Sequence, residues 1–177
     1  MIRVLYNNVH AWDSLLCLKI FGLNGRKTLD LIMYGLSRLG DGYFYAVVGI
    51  VLFIVDYKIA LKTVPAGLIA FAIEITAFKL VKIKTKRDRP FRAVPEINPL
   101  MPPPPDKFSF PSGHTAAAFV MATLFGTVFP GLFLPLVVVA ALVGFSRIYN
   151  GMHFPSDVLA GMVLGFLCAK LGLVIAA

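Results

Sequence analysis

Three polar blocks interrupt an otherwise oily chain, and their residue types suit one kind of chemistry. Lys82 is followed by Arg89-Pro90, then comes Pro111-Ser112-Gly113-His114, and then Arg147 with His153 and Asp157. The chain has only three histidines, and two of them lie in these blocks. An arginine offers a forked pair of donors to a phosphate and a lysine offers a point charge. Phosphoryl transfer consists mostly of positioning and charge stabilisation, so clustered cations can do what magnesium does elsewhere. Two imidazoles, a carboxylate and several cations in one place suggest phosphoryl transfer to and from a histidine.

Each block also has a plainer reading. Lys79, Lys82 and Lys86 share one helical face, and a basic helix end can simply touch anionic lipid; that is the preferred account of Lys79 and Lys86. Arg89 differs, because Pro90 stops the chain and can aim the guanidinium back at the helix end. Pro111 to His114 should open a helix, where free backbone N–H groups and the helix dipole favour an anion. Gly113 would let a bound group approach the backbone, although Ser112 could equally be a helix cap. Asp157 falls in the first turn of a final helix. It could merely complement that dipole, or accept a hydrogen bond from His153 and make the other ring nitrogen a better nucleophile. Glu74 is too far along its helix from Lys82, about 12 Å, for direct chemistry. It reads as a structural or proton-linked group.

In this order the three blocks resemble the signature of the type 2 phosphatidic acid phosphatase superfamily. That superfamily includes bacterial undecaprenyl-diphosphate and phosphatidylglycerophosphate phosphatases and is similar to vanadium haloperoxidases. The resemblance covers residues 82–157, and every expected polar position is filled. It implies that His153 attacks phosphorus, that Asp157 orients it and that His114 protonates the leaving oxygen. It also implies that Lys82, Arg89, Ser112, Gly113 and Arg147 hold the phosphate oxygens. It implies no metal and no cofactor, a lipid phosphate as substrate, and a site on the outer, periplasmic face of a bacterial cytoplasmic membrane.

The elements that must bring these residues together are membrane helices. Of the 177 residues 58% are hydrophobic and only 15% charged, with a mean hydropathy of +0.81. A soluble domain carries about a quarter charged residues. Residues 108–146 hold no Asp, Glu, Lys or Arg. That run is long enough for two spans of roughly 20 residues, and Phe129-Pro130-Gly131 divides it. A hairpin of helices, 112–129 and 132–149, returns the chain to the face it left, so Ser112 and His114 meet Arg147 and His153. Residues 60–82 and 157–176 form further spans. Residues 42–55 are too few to cross alone, so that helix is expected to begin near Leu36. Residues 9–35 suggest an interfacial amphipathic helix and then a short helix from Thr28 to Leu39. The expectation is a single all-α domain over 1–177, a polytopic membrane helix bundle with five to six transmembrane helices plus an N-terminal amphipathic helix. Small residues four apart, Ala140 with Gly144 and Gly161 with Gly165, let such helices pack closely.

Residues 83–110 form one long loop, stiffened by Pro102 to Pro105, and could cover the mouth of a site. No cleavable signal peptide is visible. Cys17 and Cys168 sit in apolar surroundings and read as core thiols. Eight of the 17 basic residues fall between Lys79 and Lys107. Nucleic acid is the poorest partner for them, because they join two apolar segments. A positive-inside count would put this basic face in the cytoplasm, against the resemblance, which is followed here. Two other functions compete: a serine hydrolase or acyltransferase built on Ser112, and a non-catalytic lipid-phosphate binder or transporter. The oligomeric state is left open.

Overall fold

The computed structural model describes residues 2–177, with side chains from residue 9 onward. Eight α-helices follow one another: α1 Ile2–Phe21, α2 Lys27–Leu39, α3 Gly42–Val55, α4 Tyr57–Thr85, α5 Pro90–Ala93, α6 Gly113–Val128, α7 Phe133–Tyr149 and α8 Pro155–Ala176. Among the described residues the only strand-like pairing is an isolated bridge between Asp88 and Phe108.

The hairpin forms where the uncharged run breaks. Helix α6 ends at Val128, Pro130–Leu132 make one 3-10 turn, and α7 runs back. Helices α4, α8 and α7 with its 3-10 turn are long and apolar enough to cross a membrane. Helices α2 and α3 reach that length only together, and they are bent by 61°. The helix expected to run unbroken from Leu36 is therefore interrupted at Gly40-Asp41. His114 packs closely against the break: a Cβ on Gly40 would lie 2.8 Å from its ring. Asp41 then stands outside α3 as its N-cap. Helix α2 turns aside against α7, where Tyr149 Oη donates to Asp30 at 2.6 Å and Asn150 Nδ2 donates to the Met33 carbonyl at 3.2 Å.

Small residues on α8 set its neighbours. A Cβ on Gly161 would meet the Ser112 carbonyl oxygen at 2.5 Å, and one on Gly165 the Ala116 carbonyl oxygen at 2.1 Å. Gly172 makes the same close approach to Ala66 on α4. Helix α8 thus runs parallel to α6 and antiparallel to α4. On α7, Gly144 faces Thr115 and Val158. This order brings the C-terminal ends of α4 and α7 and the N-terminal ends of α6 and α8 to one end of the bundle.

Helix α1 lies across that same end. The His10 ring lies 5.7 Å from that of Phe154, tilted by 56°, Asp13 accepts from the Ser156 N–H at 2.9 Å, Cys17 and Phe21 pack beside Phe154 and Ile148, and Asn24 beyond it donates to the Tyr149 carbonyl at 3.2 Å. From His10 onward these contacts fall on residues 148–156, around the turn between α7 and α8. The opposite face, with Val9, Trp12, Leu15 and Leu16, is exposed. Cys17 and Cys168 are both free and buried, as expected of core thiols.

Candidate active site

His153 stands on a tight turn between α7 and α8. The Arg147 carbonyl accepts from the N–H of Met152 at 2.9 Å and of His153 at 3.2 Å. Gly151 has a φ of +73°, a left-handed conformation that glycine adopts without strain, and a Cβ there would strike Ile97 at 2.7 Å. The imidazole is 2% exposed. Burial first, and then the charges of Arg89, Arg147, Lys82 and His114, hold its pKa well below the ordinary histidine value. His153 is therefore neutral near pH 7.

Three of the expected cations gather around it. Arg89, at the start of α5, places Nη1 3.2 Å from His153 Nε2 and 3.0 Å from the Met152 carbonyl. Lys82, on the last turn of α4, pairs with Asp106, and Arg89 Nη2 meets the other oxygen of the same carboxylate at 2.7 Å. Burial alone would raise the pKa of Asp106, but the hydrogen bond from Lys82 and the charge of Arg89 outweigh it and hold it below the usual carboxylate value. An anion from the long loop thus already bridges two of the cations. Arg147, on the last turn of α7, donates to Ser37 and lies 3.8 Å from Met101 Sδ. Its Nε is buried with no hydrogen-bond partner, so one donor remains for an anion. Unpaired buried donors are costly.

The second histidine lies on the same rim. His114 Nε2 is 3.0 Å from Asp41 Oδ1, and its charge is among those felt by His153. Ser112 is buried and caps α6: its Oγ accepts from the Thr115 N–H at 3.4 Å and from Thr115 Oγ1 at 2.8 Å. Its bonds go to Thr115 and to neither imidazole, which counts against a serine triad. Gly113 has a packing reason for its type, since a Cβ would lie 2.8 Å from the Phe78 ring. The Lys82 Nζ stands 4.4 Å from the centroid of that ring. Glu74 is buried along α4 and forms no part of this cluster.

Asp157 is placed differently from the expected direct hydrogen bond. Its Oδ2 is 3.7 Å from His153 Nδ1, beyond hydrogen-bond range. The hydroxyl of Ser109 bridges them, donating to Asp157 Oδ2 while lying 3.5 Å from Nδ1. The Phe154 N–H also donates to Oδ2, at 2.8 Å, and Arg87 Nη1 donates to Oδ1 at 2.7 Å. The sequence reading missed Ser109, Arg87, Asp13, Asp41 and Asp106. Arg87 and Asp106 fall in the long loop of residues 83–110 and Asp13 in the expected amphipathic helix, where nothing in the sequence singles them out. Among the described residues no three or more His, Cys, Asp or Glu side chains gather in a way that could hold a metal.

The pattern of the PAP2 superfamily matches residues 62–176. An undecaprenyl-diphosphatase of Sulfolobus acidocaldarius is 35% identical over 150 residues, covering 83% of this chain and 70% of the relative. Of several other curated relatives this chain spans about half the length or less, between 15% and 53%. The crystal structure of LpxE from Aquifex aeolicus superposes with a TM-score of 0.72 at 31% identity, covering 89% of this chain and 94% of that one. A PAP2 type phosphatidylglycerolphosphate phosphatase from Bacillus subtilis superposes with a TM-score of 0.76 at 28% identity, covering 96% and 86%. With its buried histidine, its cations and its apolar helices, the chain belongs to the PAP2 superfamily of membrane phosphatases.

Proposed function

We propose that the protein hydrolyses the phosphate or diphosphate headgroup of a membrane lipid through a phosphohistidine, without a metal. The observation that carries this reading is the 3.2 Å contact between Arg89 Nη1 and His153 Nε2. It sets an always-charged phosphate-binding fork beside the lone pair of a neutral imidazole. In the first step His153 Nε2 attacks the terminal phosphorus, the P–O bond to the leaving group breaks (a lipid alcohol from a monoester, a lipid monophosphate from a diphosphate), and His114 gives its proton to the departing oxygen. In the second, water attacks the phosphohistidine, His114 takes a proton from it, and the P–N bond breaks to release phosphate. Lys82, Arg89, Arg147, Ser112 and the Gly113 amide hold the oxygens on which charge builds. Preorganised donors of this kind contribute about 10²–10³ each in rate.

A cleft of about 430 Å³ between α3, α4 and α6 suits the lipid tail. Its lining is mostly apolar and includes Gly42, Ile50, Phe71 and Leu124. One end of the cleft is lined by Gly42, next in the chain to Asp41, the partner of His114. A long prenyl diphosphate and phosphatidylglycerophosphate are the leading substrates, followed by phosphatidic acid, with lipid A weaker. The breadth of the match to an undecaprenyl-diphosphatase supports testing the prenyl diphosphate first.

In the bilayer, α4, α6, α7, α8 and the bent pair α2–α3 serve as five spans, and α1 lies along the interface, with Trp12 and Leu15 toward lipid. The site then faces the outside of a bacterial cytoplasmic membrane. This orientation follows the family resemblance against a positive-inside count of the basic loop, because the loop's cations are assigned to phosphate. Single cysteines between residues 95 and 105, probed with an impermeant thiol reagent on intact cells, test the orientation; labelling is expected.

The test of activity is phosphate release by the purified protein from a panel containing farnesyl diphosphate, undecaprenyl diphosphate, phosphatidylglycerophosphate and phosphatidic acid, in excess EDTA. Turnover that His153→Ala abolishes is expected. Turnover that persists in His153→Ala while a fluorophosphonate labels Ser112 would favour a serine hydrolase. Binding without release would favour a carrier.

A further inference from the structure

We infer that Arg87 and Asp13 form a positioning pair for Asp157, so that α1 takes part in setting the geometry of catalysis. The inference rests on the proposed roles of His153 and Asp157. Arg87 is 12% exposed on its side chain and Asp157 not at all. Nη1 of Arg87 donates to Asp157 Oδ1 at 2.7 Å and to Ser156 Oγ at 2.7 Å, while Nη2 donates to Asp13 Oδ2 at 2.6 Å. The guanidinium carbon lies 4.3 Å from the centroid of the Phe154 ring. Asp13, 5% exposed on its side chain, is itself fixed, because it accepts from both the Ser156 N–H and the Ser156 hydroxyl.

This arrangement does two things for Asp157. First, it fixes rotation. With Oδ1 committed to Arg87, only Oδ2 is left to turn toward Ser109 and His153, and it is Oδ2 that the Ser109 hydroxyl joins to the ring. Second, it sets charge. Arg87 alone would cancel the carboxylate it holds. Asp13 restores a net charge of −1 to the trio, which can stabilise the positive charge that builds on His153 as the N–P bond forms. The side-chain hydrogen bonds of Arg87 go to Asp13, Ser156 and Asp157. The cations holding Asp106 are Lys82 and Arg89. The pair therefore acts on the chemical step and not on headgroup binding.

The test uses the full-length protein in detergent, with farnesyl diphosphate as the probe. Arg87→Gln should lower kcat by about tenfold to a hundredfold, the size typical of partners that orient a reacting group, with KM little changed. Arg87→Lys should recover part of the loss. Asp13→Asn, which keeps the shape of the side chain, should lower kcat less, and the double variant should be no slower than Arg87→Gln. Tyr149→Phe serves as a control, since it removes a partly buried bond to Asp30 on α2 and should lower thermal stability without lowering kcat. An unchanged kcat in Arg87→Gln would overturn the inference, as would a loss matched by Tyr149→Phe at equal stability, or a loss lying in KM alone. If His153→Ala is inactive while Arg87→Gln is normal, only this inference fails. If His153→Ala is active, the underlying reading fails first.

Discussion

Arg89 donates to His153 through a 3.2 Å contact at Nε2, and this determines the tautomer of the ring. A guanidinium has donors only, so Nε2 must accept, and the neutral imidazole carries its proton on Nδ1. The Nδ1–H then faces Ser109 and Asp157, and the lone pair faces the cations. A phosphate that takes over the donor of Arg89 uncovers that lone pair.

The acid limit of activity follows from the charges around this ring. Burial first, then Arg89, Arg147, Lys82 and His114, depress the pKa of His153. The neutral, reactive form is full above that depressed value and is lost as pH falls through it. The acid limb of kcat/KM should therefore lie well below the ordinary histidine pKa of about 6.5. In Arg89→Gln one of those cations is gone, and the limb should move up toward that value. Comparing the two profiles on one substrate cancels the headgroup's own titration. A limb that stays put or moves to lower pH would contradict the assignment.

Asp106 holds both Lys82 and Arg89, and under the proposed phosphate-binding role of these two cations it must yield them to the substrate. Asp106→Asn removes the competing charge. Inorganic phosphate should then inhibit several-fold more strongly, a change of about 1 kcal/mol for a partly exposed pair. Inhibition constants for wild type and variant check this; weaker inhibition in the variant would mean that Asp106 supports the cage instead of occupying it.

What the sequence could reveal depended on distance along the chain. Phe129-Pro130-Gly131 marked the hairpin, and the hairpin was enough to join His114 to Arg147 and His153. Gly161 and Gly165 pointed to a close helix contact that α6 supplies. The break at Gly40-Asp41 was hidden, because the residue packed against it, His114, is more than seventy residues away. Asp13 was hidden likewise: a lone carboxylate in an apolar helix looks interfacial until Arg87 is seen to meet it. Ser109 gave no periodic signal at all, since its role comes from sitting between two residues that are four apart on another element.

The contact of α8 with α6 predicts a stability effect. A methyl on Gly165 would lie 2.1 Å from the Ala116 carbonyl oxygen and 2.9 Å from its carbon, and backbone cannot move aside cheaply. Gly165→Ala should cost about 1–3 kcal/mol and lower the Tm in detergent. Gly35→Ala, where nothing lies within 4 Å, should leave the Tm unchanged or raise it slightly. Equal behaviour of the two variants would contradict the packing described for α8.

The central claim concerns one bond, between phosphorus and His153 Nε2. Rapid quenching in base during turnover of a ³²P-labelled lipid headgroup, followed by peptide mapping, tests it directly. Acid-labile label on the peptide containing His153, absent from His153→Ala, is the expected result. Label on Ser112, or turnover with no protein-bound phosphate at any quench time, would contradict it.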